Sequence, residues 1–321
     1  MTERAPAVDV RGLTRRFGPV VAVDAISFSV APGELFGLVG PDGAGKTTTL
    51  RMLAGVLRPS GGDALLQGIS VARDPERMKD RIAYMPQRFG LYADLTVLEN
   101  LVFYADLYGV PREARAARLD RLFRFSNLGP FRDRLAGQLS GGMKQKLALS
   151  CALLHQPEVL LLDEPTFGVD PVSRRDLWLI VHDRVAEGAT VVVSTAYMDE
   201  AERFDRVALL AGGRILALDT PAALQEGLEG QILSIRVERP REARRVLSGH
   251  SAVRRAAVFG DQVHVSTASA AAAAPGIRRL LEAEGFAVAS LSPVAASMED
   301  VFIERIAAAG SPGGSAPGDA P

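Results

Sequence analysis

Continuous apolar runs, not alternating ones, mark the middle of the chain. Leu35-Phe36-Gly37-Leu38-Val39, Val159-Leu160-Leu161-Leu162 and Val191-Val192-Val193 each predict a strand buried on both faces, the pattern of a parallel sheet. Residues 8–29 behave differently. Apolar and polar positions alternate there in short pieces, broken at Gly12 and Gly18-Pro19, and predict antiparallel strands ahead of that core. Residues 63–67 predict a further strand, 75–81 a short helix, and 82–87 an apolar strand with a polar end. Residues 96–108 and 111–125 have helical spacing and suitable caps, with Pro111 at a start position. They predict a helical insertion at about residues 90–155 between the halves of an α/β core.

Past Pro221 the pattern changes. Residues 232–238 alternate as a strand, 240–247 are helical, 253–259 and 262–266 form a hairpin across Gly260-Asp261, 276–284 are helical and 286–291 form a strand. The order β-α-β-β-α-β predicts a small α+β, ferredoxin-like domain over residues 221–309. Residues 270–274, all alanine, read as a low-complexity loop leading into a helix start at Pro275. Met298, Val301, Phe302 and Ile306 recur at helical spacing, with Ser297 placed to cap and Asp300 at the third position. That stripe reads as core packing, with a partner-binding face as the alternative. Residues 310–321 are Gly, Pro, Ser, Ala and Asp without periodicity and predict disorder.

Composition narrows the reading. A chain of 321 residues with 47% hydrophobic content supplies the core of one large domain, expected over residues 1–220, and a smaller one. A net charge of −1 gives no sign of a nucleic-acid binder. Cys151 is the single cysteine and lies in an apolar run. It reads as a packed core thiol in a reducing compartment. The first residues carry no apolar signal segment, and no run approaches the roughly 18 to 20 apolar residues of a membrane span. A soluble cytoplasmic chain is expected, with any membrane role supplied by a partner.

The chemistry concentrates in a few stretches. Gly40-Pro41-Asp42-Gly43-Ala44-Gly45-Lys46-Thr47-Thr48 fits G-x-x-x-x-G-K-[ST], a phosphate-cradling loop between a buried strand and a helix starting near Lys46. Gly40, Gly43 and Gly45 allow positive φ and bring amides close to phosphate oxygens. The helix start favours negative charge, Lys46 reaches the β and γ phosphates, and Thr47 offers a hydroxyl to Mg²⁺. A nucleoside triphosphate is the expected ligand; a glycine-rich turn before a helix is the plainer reading. Farther on, Leu139-Ser140-Gly141-Gly142-Met143 opens a helix with Ser140 as its cap and glycines exposing the first amides. Taken by itself, that is only a capped helix. The run 159–162 ends in Asp163 and Glu164, carboxylates at the strand end where ligands of open α/β sheets bind. Asp163 can hold Mg²⁺, and Glu164 can position or deprotonate an attacking water. Phe17, in a turn, can stack on a base or simply pack.

Loop, glutamine strand, LSGGM segment, LLLDEP strand and the Gly168-Val169-Asp170 turn come in an order that resembles the ATP-binding-cassette (ABC) transporter ATPases over about residues 6–220. The resemblance implies a P-loop NTPase core with an antiparallel β subdomain and a helical subdomain, binding ATP and Mg²⁺. It implies that Phe17 stacks on adenine and that Gln87 senses Mg²⁺ and water. It implies that Ser140, Gly141 and Gly142 contact the γ phosphate of nucleotide on an opposing subunit, in a head-to-tail dimer joined near Asp170. The region ending at residues 297–302 is similar to that of bacterial exporter ATPases resembling the daunorubicin-resistance family. A separate integral membrane permease and a second ATPase subunit are the implied partners, with the chain peripheral on the inner face of the membrane. The departures are as informative. Ala196 stands where the family usually has a histidine that contacts the γ phosphate, Asp42 where Asn is more common, and Phe167 and Val169 where smaller Ser and Leu are common. A methyl group donates no hydrogen bond, so slow hydrolysis is expected at this chain's own site. The alternative is a regulatory ATP-binding module whose partner carries hydrolysis.

Overall fold

The chain opens with a hairpin of β1 (Val8–Phe17) and β2 (Val20–Val30), then runs through β3 (Leu35–Val39) into helix α1 (Lys46–Leu53) and returns in β4 (Gly61–Leu66) and β5 (Ile69–Ser70). β6 (Ile82–Met85) precedes α2 (Val97–Leu107), α3 (Arg112–Ser126) and α4 (Gly141–Ala152). β7 (Val159–Asp163), α5 (Pro171–Ala186), β8 (Thr190–Thr195), β9 (Arg206–Ala211) and β10 (Arg214–Asp219) complete the first of two compact units, which divide after Asp219. The computed structural model describes residues 5–309.

Two sheets organise this unit. β2-β1-β4-β5 is antiparallel; β10-β9-β3-β8-β7-β6 is parallel except for its β9–β10 edge pair. All five residues of β3 and of β7, and all six of β8, are buried, so the runs are apolar because both faces are covered. Strand order is not chain order here: β8 lies between β3 and β7. The C-terminal ends of β3, β6, β7 and β8 therefore open on one edge of the sheet.

Several local expectations are revised. Gly12 does not break its strand; the register with β2 shifts between Val10 and Leu13, a bulge, and β1 continues to Phe17. Residues 75–81 form only a short 3-10 turn, Pro75–Met78. Pro111 is the residue before α3, not its first helical position. Thr96 caps α2 in a reciprocal box with Glu99. Cys151, in α4, is fully buried, and that burial pushes its thiol well above the ordinary range.

The second unit begins at Thr220. It contains α6 (Pro221–Glu226), β11 (Gln231–Val237), α7 (Pro240–Leu247), β12 (Arg255–Phe259), β13 (Gln262–Thr267), α8 (Ala270–Ala283), β14 (Val288–Val294) and α9 (Met298–Ala308). Its sheet runs β12-β13-β11-β14 with every neighbour antiparallel. Leu233, Ile235, Val263 and Val265 pack there against Ala243, Leu247, Ile277 and Leu281 of α7 and α8. Met298, Val301 and Phe302 of α9 are buried, and the Ser297–Asp300 pair forms its capping box. The expected disordered tail, 310–321, lies outside the described residues.

The alanine stretch is the clearest correction. Residues 270–274 are not a loop but the first turn and more of α8, with Pro275 inside the helix. Alanine has the highest helix propensity, and Ser269 accepts from the Ala272 amide to cap the start. Pro275 deprives the Ala271 carbonyl of its helical donor and crowds it, a tolerable defect near a helix N-terminus. Pro275→Ala should raise the denaturant midpoint by the equivalent of roughly 1–2 kcal/mol, after the entropy that proline removes from the unfolded chain is offset. A midpoint that falls would mean that the helix does not run through this position.

Candidate functional site

The loop after β3 has its shape because two positions admit no side chain. At Gly40 a Cβ would lie 2.2 Å from the Leu210 carbonyl oxygen. Its φ is not positive, so close approach, not the expected left-handed backbone, is what requires glycine there. Gly45 does adopt a left-handed conformation, φ 103°, and its Cβ would lie 2.6 Å from the Ala22 carbonyl oxygen. Gly45 is also the cap residue of α1, so the loop passes directly into a helix N-terminus. The Gly40 amide donates to the Thr195 carbonyl of β8 at 3.2 Å, which ties the start of the loop to the neighbouring strand.

Lys46, the first residue of α1, is only 4% exposed. Its Nζ donates to the carbonyls of Gly40 at 2.7 Å and Pro41 at 3.0 Å, and lies 3.1 Å from Glu164 Oε1. A buried ammonium is tolerated only with such partners. The same rule governs the acidic end of β7. Asp163 Oδ1 accepts from Thr47 Oγ1 at 2.9 Å and from Ser194 Oγ at 2.6 Å, and Oδ2 accepts from the Tyr84 hydroxyl at 3.3 Å. Burial, and then the charge on Asp163, push Tyr84 up to about 12, so at neutral pH it keeps the proton it donates. Glu164 follows with φ 48°; its amide donates to the Ser194 carbonyl and hydroxyl, and its Oε2 accepts from Gln87 Nε2 at 2.9 Å.

These groups surround a cavity of about 390 Å³ lined by Ala22, residues 42–48, Gln87, Glu164 and Phe167. Asp42, Gly43, Ala44, Gly45, Lys46, Thr47, Thr48, Gln87 and Glu164 are thus brought together, while Gly40 and Asp163 stand behind the lining and hold it. Phe17 does not line the cavity; it is 46% exposed, with the Arg15 guanidinium 4.5 Å over its ring. Ser140, Gly141 and Gly142 do not line it either. Ser140 caps α4 by accepting from the Met143 amide, and Gly141 is exposed. Gly142 is buried, and a Cβ there would lie 2.4 Å from Ser173 at the start of α5, so the close packing of the two helices requires glycine. Asp170 caps that helix through the Ser173 amide, and this bond holds its carboxyl below the usual range.

The donor set fits a hard divalent cation bound together with phosphate. Thr47 and Asp163 offer oxygen ligands 2.9 Å apart, and Mg²⁺ needs only one or two protein oxygens beside water and phosphate. Among the described residues no group of three or more His, Cys, Asp or Glu would hold a metal without such help. Sequence reasoning missed Tyr84, Ser194 and Ala22. The only signal for Ser194 was a hydroxyl ending an otherwise apolar run, Val191-Val192-Val193-Ser194-Thr195.

A family model described as ABC transporter matches residues 23–167. The probable multidrug ABC transporter ATP-binding protein YbhF of Escherichia coli (strain K12) is 48% identical over 242 residues, 75% of this chain and 42% of that protein. The chain therefore spans less than half the length of that relative. The daunorubicin/doxorubicin resistance ATP-binding protein DrrA of Streptomyces peucetius is 38% identical over 256 residues, 78% of each chain. A solved ATP-binding subunit of an ABC transporter is 31% identical with a TM-score of 0.63, covering 68% of this chain and 92% of that one. A dimeric ATP-binding cassette in a post-hydrolysis state bound to ADP and Pi is 25% identical with a TM-score of 0.60, covering 66% and 98%.

The contact between α4 and α5 is open to a direct test. Gly142→Ala should destabilise the chain by about 1–3 kcal/mol, the usual effect of overpacking, and Ser173→Gly in the same chain should recover most of it. Denaturant midpoints of the single and double variants check this; failure of Ser173→Gly to rescue would rule out the steric account.

Proposed function

The chain belongs to the family of ABC transporter ATP-binding proteins, and from that premise we propose that it is the ATP-binding subunit of an exporter, hydrolysing ATP to drive transport through a separate integral membrane permease. The observation that carries the proposal is the convergence at one edge of the parallel sheet of two contacting groups, Thr47 with Asp163, and Glu164 with Lys46 and Gln87. Loop amides of residues 43–47 and the Lys46 ammonium bind the β and γ phosphates. Thr47 and Asp163 hold Mg²⁺, with Gln87 completing its surroundings; the ion, when bound, neutralises charge on the phosphate oxygens. Glu164 takes the proton of the attacking water, oriented by the Gln87 amide and by its own backbone anchor on Ser194. Phe17 stacks on the adenine.

A second ATPase subunit completes the assembly. Ser140, Gly141 and Gly142 then meet the γ phosphate held by the opposing subunit, with Asp170 in the joining turn. The multidrug and daunorubicin/doxorubicin-resistance names of the relatives support export as the direction. Among the described residues no helix is long and apolar enough to cross a membrane, which fits attachment to the inner face of the membrane through the permease. No nucleic-acid partner is invoked.

Ala196 sets the rate. It follows β8 directly, and its methyl side chain donates no hydrogen bond to phosphate. Losing one preorganised donor or one general acid/base lowers a rate by about 10²–10⁴. This chain therefore binds ATP but turns it over slowly, while its LSGGM segment completes a faster site on a different subunit. Ala196 also favours a second reading, a regulatory ATP-binding module whose partner carries hydrolysis. The purified chain should turn over far below the typical enzyme median of about 10 s⁻¹. Ala196→His should raise that rate about a hundredfold or more, the lower end of what such a donor contributes, and Glu164→Gln should abolish it without loss of ATP binding. Steady-state phosphate release and calorimetry check all three; a wild-type rate near the median sinks the slow-site idea, and an unresponsive Ala196→His favours the regulatory reading.

A further inference from the structure

Glu200 lies four positions beyond Ala196 in a short 3-10 turn, Met198–Arg203, and is 1% exposed. A carboxylate so deeply buried is destabilising unless donors surround it, and apolar residues would often serve stability as well. The donors around this one come from β8, whose end is tied to the start of the loop, and from α5, which follows the Asp170 turn. Oε2 accepts from Thr195 Oγ1 at 2.7 Å, and Oε1 accepts from Trp178 Nε1 at 3.2 Å. Arg174 Nε stands 3.9 Å from Oε1, and the Arg174 guanidinium covers the Tyr197 ring at 4.5 Å.

Thr195 is what connects this cluster to the loop. Its hydroxyl, held by Glu200, accepts from the Tyr197 amide at 3.0 Å and so fixes the turn that carries Ala196. Its carbonyl accepts from the Gly40 amide at 3.2 Å and so fixes the first residue of the loop. Trp178 and Arg174 sit on α5, whose N-terminus Asp170 caps. One buried carboxylate thus joins α5, the turn at position 196 and the start of the loop.

Resting on the ATP-binding reading above, we propose that Glu200 is a positioning residue for that site. By holding Thr195 it keeps the Gly40 end of the loop and position 196 in register with the bound phosphates, and through Trp178 and Arg174 it makes that register depend on the placement of α5. A residue that merely anchored Trp178 in the core would change stability but not nucleotide affinity.

The test uses the full chain, with ATP and Mg²⁺ calorimetry and a thermal midpoint for each variant. Glu200→Gln and Thr195→Val should each weaken ATP binding about tenfold, the scale of one lost hydrogen bond to a charged group. The double variant should bind no more weakly than the worse single one, because both break the same contact. Thr195→Ser, which keeps the hydroxyl, should bind like the wild type. If Glu200→Gln does not fold, the Thr195→Val and Thr195→Ser pair decides alone. Folded Thr195→Val with wild-type affinity, or losses that multiply in the double variant, would overturn the proposal. A wild-type chain that binds no ATP would instead overturn the ATP-binding reading, and this proposal with it.

Discussion

An ammonium group with almost no contact to water is the constraint around which the first unit is arranged. Lys46 cannot be solvated where it lies, so the Gly40 and Pro41 carbonyls and the Glu164 carboxylate must reach it. Those partners come from both sides of a three-strand stretch, β3 and β7, with β8 between them. Ser194 of β8 spans the gap, donating to Asp163 and accepting from the Glu164 amide. The glycines of the loop follow from the same demand, because the backbone must fold back over its own lysine within a space that Leu210 and Ala22 already limit. Such an arrangement adds little to stability over apolar packing. Its consequence is a cation already stripped of water and fixed in place, which on the proposed reading would meet an incoming phosphate with little reorganisation.

What the sequence reveals depends on how local the chemistry is. The loop, the Ser140 cap and the Asp163-Glu164 strand end are legible because each role is set by residues a few positions apart. The helix over residues 270–274 is not legible, because a run of alanines carries no periodicity and Pro275 resembles a start signal; the Ser269 cap and a buried face formed by Ala270, Ala273, Ile277 and Leu281 decide the outcome. Tyr84, Ser194 and Glu200 are illegible for a different reason. Their hydrogen bonds span from 5 to 79 positions, and where the span is short, as from Thr195 to Glu200, the decisive third partner, Trp178, is remote. Gly40 is a required glycine on either reading, but the requirement comes from Leu210, a residue that no local pattern connects to it.

Adjacent glycines of the LSGGM segment divide two tasks. Gly141 is exposed and leaves the start of α4 open, while Gly142 is spent on admitting Ser173 of α5. The N-termini of α4 and α5 consequently stand side by side, with Asp170 between them. Lys146 pairs with Asp176 at 3.0 Å along the same two helices, so the contact is both steric and ionic. The segment expected to touch a partner's phosphate and the turn expected to join the subunits therefore form one continuous surface.

The buried thiol of Cys151 has an outcome that reaches beyond packing. It is the only sulfhydryl in these 321 residues, it has no access to solvent, and burial keeps it protonated. Alkylating agents in the surroundings find no thiol on the folded surface, and two copies cannot become bridged through a disulfide.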